Sequence, residues 1–217
     1  MNPSVTQSKD IDGFHQDLFM LGRRLGVEVS GDSEMPSVQL EKVIDPDSFL
    51  RFSEQYVRHL LIPVELPAIA TAAALVSQNA LRELLELDAQ LEAEPLMKLF
   101  AQASRILGRN QLRKLRGLRD VRVLSRYRSA VLEGDAYGWH TIVYGAVLHM
   151  FSIPLRHGLA KYQLQVLSGF AHSACQSLQW SHTDWRKVMN AIEKMAVPSM
   201  ESLKLDASYA VPQLRIV

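Results

Sequence analysis

The chain has 217 residues, 47% of them apolar and 22% charged, with a formal net charge of +1. That length can bury a sizeable core in one compact domain, and a charge so near zero excludes a global field drawing the molecule onto nucleic acid or anionic lipid. A single cysteine, Cys175, excludes an internal disulfide framework and a cysteine zinc cage; with no signal peptide legible at the N-terminus, a reducing cytoplasm is the expected compartment.

Residues 1–44 read as a polar N-terminal segment, a short helix and an irregular connection. Met1 to Asp12 are polar, and from Gly13 a helix is predicted with Phe14, Leu18, Leu21 and Leu25 on one stripe. Val27 to Ile44 mixes Gly31, Asp32, Pro36 and Ser37 with isolated valines, a pattern of neither helix nor strand. Asp45-Pro46 then predicts a helix start, because an aspartate caps the orphan amides and proline fits the first turn. Phe49, Phe52, Tyr56 and Leu60 define its buried face up to Pro63. Pro67 opens a second stretch, where Ile69, Ala72, Val76, Leu84, Leu87 and Leu91 keep one side while Glu83, Glu86, Asp88, Glu92 and Glu94 make the later half acidic. Pro95 begins another, with Leu96, Leu99, Phe100, Ala103, Ile106, Leu107 and Leu115 inward.

Between Lys98 and Arg128 stand ten Lys or Arg residues against one acid, Asp120. Arg105, Arg109, Arg113 and Arg116 fall on one helix side at spacings of three and four. Such a stripe is either a solvated face paired with the acidic helix before it or a protein or dimer interface. Nucleic acid finds less support, since the run lacks interleaved aromatics and any binding motif.

From Asp135 to Asp184 a pair of apolar helices is predicted, hinged at Ser152-Ile153-Pro154. Ile142, Val143, Ala146, Val147, Met150 and Phe151 give the first its buried stripe. Gly145 within it costs about 1 kcal/mol of helix propensity, which is tolerated where two backbones come close. The second carries Leu155, Leu159, Tyr162, Val166 and Phe170 on one face and Leu164, Leu167, Ala171 and Cys175 on the next. This pair is expected at the centre of a bundle. The apolar run from Trp139 to Leu155 is broken by His140, His149, Ser152 and Pro154, a poor membrane span. Ser181 with Asp184 forms a capping-box-like start for a last helix, whose stripe of Trp185, Val188, Met189, Ile192 and Met195 runs to Pro198. No stretch alternates as a strand does, so the fold is read as all-α: a single-domain bundle of seven to ten helices occupying residues 45–217.

Candidate chemistry is scarce. The seven histidines, His15, His59, His140, His149, His157, His172 and His182, show no H-x-x-x-H or comparable spacing, so neither a metal site nor a cofactor is expected. Phosphate-cradling glycine motifs and nucleophile elbows are missing, and Cys175 lies on an apolar helix face as an inert thiol would. No catalytic residue is assigned. Two functional readings remain open on these grounds: a helical adaptor that docks acidic partners through the arginine stripe, and a small helical enzyme or cofactor binder with a core histidine.

Asp88-Ala89, followed by Ala103-Ser104-Arg105-Ile106-Leu107-Gly108-Arg109 and Leu112, resembles the "D-A … S-R-x-[ML]-G-R-x-x-L" core of the urease accessory protein F (UreF) family. Downstream, His140-x-x-Val143-x-Gly145, Ile153-Pro154, Leu159, Tyr162 and Thr183-Asp184 follow that family's order, and Ser208-Tyr209-Ala210-Val211-Pro212 is similar to its "S-F-A-P" turn. The chain departs from the pattern where the family's N-terminal glycine motif is reduced to Gly13-Phe14, where Gln176 stands in place of an arginine, and in the absence of the "R-L-F" tail up to Val217.

The resemblance implies an all-α, dimerising, non-enzymatic chaperone of metalloenzyme maturation. It would bind the urease accessory protein D (or H) and the nickel-delivering GTPase, and so couple GTP hydrolysis in a partner to nickel insertion into apo-urease. Arg105, Arg109 and Arg113 are expected to face a partner, since guanidinium groups bind carboxylates in a bidentate way, and His140, Tyr162, Thr183 and Asp184 join that expected partner-binding set. Taken singly, His140 reads as a hydrogen-bonded structural histidine, Tyr162 as a core or interface aromatic, Gly108 and Gly145 as close-packing positions, and Ser104 as bonding a carbonyl in the preceding turn.

Overall fold

A computed structural model describes residues 42–115 and 122–202. The readings made on residues 1–41, on Arg116 and on the segment after Ser202 lie outside the described residues.

Asp45 caps the first helix, α1 (Pro46–Tyr56), as expected: its carboxylate accepts from the Ser48 amide at 2.7 Å while Ser48 Oγ accepts from the Asp45 amide at 2.9 Å. The break foreseen at Pro63 does not occur. The chain passes through a π-helical segment, Val57–Glu65, directly into α2 (Leu66–Ser77), and the Leu66 amide donates five residues back to Leu61. Pro63 and Pro67 withhold two donors on one side of the rod, and the wider π turn relieves the clash of a proline ring with the turn before it. The joined helix, Pro46–Ser77, is long and apolar enough to cross a membrane by length, but 67% of its most apolar window is buried within the bundle. It is the core rod of the fold.

Two further boundaries differ from the sequence reading. The stretch after Pro67 is two helices, α2 and α3 (Leu81–Ala93), because Asn79 adopts a left-handed conformation with φ of 56°. The stretch after Pro95 is a single turn, α4 (Pro95–Lys98), followed by α5 (Ala101–Lys114). Then come α6 (Arg122–Glu133), a loop over residues 134–139, α7 (His140–Met150), α8 (Leu155–Leu178) and α9 (His182–Ser202), which runs past Pro198. Ser181 and Asp184 form the expected reciprocal cap of α9, with Ser181 Oγ donating to Asp184 at 2.7 Å and the Asp184 amide donating back at 3.2 Å. All described secondary structure is helical, so the all-α expectation holds.

The expected central pair is replaced by another. Every residue of α7 from His140 to Leu148 is buried, and its closest partner is α2 rather than α8. Gly145 permits this: a Cβ there would lie 2.5 Å from the Ile69 carbonyl oxygen and 2.7 Å from Ala72 Cβ. Two small-residue faces meet backbone to backbone, and α8 with α9 covers the other flank. An aromatic cluster closes that flank. Phe170 of α8 meets Phe52 and Tyr56 edge to face at centroid separations of 5.3 and 5.1 Å, and Tyr56 meets Phe100 at 5.8 Å. Ile106, expected inward, is 39% exposed on the outer side of α5.

Candidate functional site

Beneath the surface of α5 lies a line of polar side chains within an otherwise apolar core. Ser104 Oγ is 2.6 Å from His140 Nδ1, and His140 Nε2 bonds Tyr162 Oη. Tyr162 and Tyr56 both bond the Glu65 carboxylate, the latter at 2.5 Å. The five side chains come from α5, α7, α8, the π segment and α1, and each is buried. With Glu65 ionised, both tyrosines donate to it. Tyr162 must then accept from His140 Nε2–H, which leaves Nδ1 to accept from the Ser104 hydroxyl. Ser104 therefore bonds a histidine ring rather than the carbonyl of the preceding turn.

Desolvation dominates the acid–base behaviour of this line. Burial holds His140 neutral, its pKa lowered to about 3, and raises the Glu65 carboxyl to about 7 against the opposing pull of its two tyrosine donors. Tyr56 and Tyr162 are raised well above the usual phenol range, by burial first and by the neighbouring carboxylate second. Glu65 reaches this position because of the π segment. Nine residues separate it from Tyr56, about two and a half α-helical turns, which would set the two on opposite faces. The π winding takes more residues per turn and returns Glu65 to the side of Tyr56.

A second buried carboxylate organises the loop ahead of α7. Asp88, read from sequence as one of the acids of the helix after Pro67 and as the start of the Asp88-Ala89 motif, is 1% exposed. Its Oδ1 accepts from the Tyr127 hydroxyl at 2.6 Å and the Gly138 amide at 3.2 Å, and Oδ2 accepts from the Tyr137 amide at 2.5 Å. Gly138 takes a φ of +79°, and its carbonyl oxygen would stand 2.0 Å from a Cβ on Gly108. Helix α5 and the loop thus meet backbone to backbone, as foreseen for Gly108.

Above this floor Arg105 pairs with Glu92, and its guanidinium lies 4.8 Å from the Tyr137 ring centroid and 5.1 Å from that of Trp139. The pairing of the basic stripe with the preceding acidic helix is realised here. Arg105 is therefore engaged within the chain, whereas Arg109 and Arg113 are exposed, the latter bonding Asn110 on its own helix. His140 and Tyr162 are enclosed by the core and present no surface to a partner; what they reach is Ser104 and Glu65. Thr183 is exposed and Asp184 caps α9, both remote in the chain from the arginines. The seven residues of the expected partner set thus divide between a basic surface, a core pair and the start of α9. Among the described residues no group of three or more His, Cys, Asp or Glu could hold a metal ion.

Residues 43–193 match the UreF family model. The chain belongs to the UreF family. That family is one of urease accessory proteins rather than catalysts. Of the residues that carry the resemblance in the sequence, Asp88 clamps the loop, Gly108 admits it, and Ser104 and His140 start the polar line. No curated protein matches the chain.

Glu65 had no signal in the sequence, because its place depends on a π register that periodicity does not announce. Asp88 had one: it stands four residues after Leu84 and next to Leu87, inside the apolar stripe of α3.

Proposed function

We propose that this UreF family member is a non-enzymatic assembly chaperone, acting in the cytoplasm as a homodimeric adaptor between the accessory D or H protein and the nickel-carrying GTPase during insertion of nickel into apo-urease. The observation that carries this is the family match over residues 43–193. The exposed Arg109 and Arg113 support a partner-binding role for the outer side of α5, and the position of Thr183 and Asp184 at the start of α9 offers a second surface. His140 and Tyr162 would contribute indirectly, by fixing α5 against α7 and α8.

The test is reconstitution. The purified chain is mixed with the cognate D protein and GTPase and sized by light scattering with and without a GTP analogue and nickel, and it is expressed in cells that lack their own F protein. An assembly with two copies of the chain and restored urease activity is expected. A chain that joins neither partner and restores no activity refutes the adaptor role.

A further inference from the structure

Three of the large apolar side chains exposed among the described residues are carried by three segments that come together in a corner at Gly138: α5, the end of α6 and the loop 134–139. Ile106 is 39% exposed, Tyr137 39% and Leu132 77%. Contacts of their chain neighbours tie the three segments together. Tyr137 lies under the Arg105 guanidinium, one residue before Ile106. Gly138 is flanked by Val131 and by Arg109 Cγ, at 3.0 and 3.5 Å from a Cβ built there, and Leu132 follows Val131. The same two helices also expose Arg109, Arg113, Arg122 and Arg126, with the acids Glu133 and Asp135 exposed where α6 runs into the loop.

The corner is built in advance of any partner. Asp88 fixes the Tyr137 and Gly138 amides from below, and Glu92 with the Trp139 ring holds Arg105 flat. A preorganised surface loses little conformational freedom when it binds. An exposed leucine and isoleucine beside several cations match an anchor-and-rim arrangement, with apolar contact at the centre and charge around it.

We propose that this corner is the docking site for an acidic amphipathic segment of a partner protein, one that places an aliphatic or aromatic anchor beside Leu132 and Ile106 and carboxylates on Arg109 and Arg113. This rests on the adaptor function above and names the chemistry of the surface it uses. A net charge of +1 disfavours nucleic acid and anionic membranes, and the aliphatic centre has no use on a phosphate backbone. Carboxylate contacts made by exposed arginines are screened by salt, so binding weakens as ionic strength rises, while the apolar anchor makes it depend on Leu132 at any salt.

The experiment measures affinity of the full chain for the D protein and for the GTPase by calorimetry, at low and moderate salt, for the wild type, Leu132→Asp, Arg109→Glu and a control, Arg186→Glu, on the exposed side of α9. Circular dichroism checks that each remains folded, which is expected because all three side chains are exposed. Both corner variants should lose at least tenfold in affinity for the same partner, and the control should stay within twofold. If the wild type binds and both corner variants bind within twofold of it, the docking site is wrong and the adaptor function stands. If the wild type binds neither protein, both are overturned. Binding of the wild type to phosphatidylserine vesicles that Arg109→Glu abolishes, with protein binding unchanged, assigns the corner to membrane and also overturns the proposal.

Discussion

Replacing Glu65 with glutamine removes the titrating carboxyl from the polar line and leaves His140, on the far side of Tyr162, in place. In the folded chain Glu65 has its pKa raised from 4.5 to about 7, so the folded state holds a proton that the unfolded state releases, and stability falls as pH rises across that window. His140 has the opposite sign. Its pKa is lowered from 6.5 to about 3, so the unfolded state binds the extra proton and stability rises with pH across that window. Each group contributes about 1.4 kcal/mol per pH unit where it acts alone. Between pH 4.5 and 6.5 the two slopes cancel, and the wild type should show a plateau from this pair. Glu65→Gln removes one slope and leaves the other, so the variant gains on the wild type by roughly 3 kcal/mol in going from pH 4.5 to about 7. The amide oxygen of the substituted side chain still accepts from a tyrosine hydroxyl, so the variant should fold. Urea denaturation followed by circular dichroism at pH values of about 4.5, 5.5, 6.5 and 7.5 reads the difference directly. A stability difference that stays constant with pH would show that Glu65 does not carry a raised pKa and would sink the account of the polar line.

The close backbone approaches predict unequal costs for similar glycine changes. Gly108→Ala drives a methyl to 2.0 Å from the Gly138 carbonyl oxygen and Gly145→Ala to 2.5 Å from that of Ile69, so each should destabilise by about 3 kcal/mol or more in denaturation experiments. Gly158→Ala meets the Leu148 side chain rather than a backbone oxygen, and should cost less than the other two, roughly 2 kcal/mol; equal losses at all three positions would contradict the packing. Asp88→Asn withdraws the charge that gathers Tyr127 and the loop amides. It should cost about 2–3 kcal/mol and speed hydrogen exchange at Tyr137 and Gly138, and unchanged exchange would remove the clamp from the argument.

Much of the helical content was legible from the chain itself. The Asp45 and Ser181 caps, the turn at Ser152 to Pro154 and the buried stripe of α1 are local: a short side chain meets its own backbone, or apolar positions recur every three or four residues, and no distant contact is needed. The ordered motif set from Asp88 to Asp184 was equally legible as a family pattern. Its purpose was not, since the place of Asp88 in the apolar stripe of α3 says that it is buried but not that Tyr127 and the loop amides are what it binds.

What the tertiary structure decided is where unlike segments meet. Periodicity gives α7 one buried stripe, whereas the fold buries it all round from His140 to Leu148, and the contact of Gly145 with Ile69 and Ala72 selects α2 as its partner. Proline at 63 signals a break in any local rule, yet the bundle keeps the rod continuous by widening it to a π turn, and that same turn carries Glu65 to Tyr56 and Tyr162. Arginines at helical spacing form a stripe by sequence; the structure divides it, binding Arg105 to Glu92 and leaving Arg109 and Arg113 outward. The sequence by itself determined the all-helical class, the Asp45 and Ser181 caps and the family. Pairing, register and the environment of each charge required the fold, because each depends on a neighbour that lies far away in the chain.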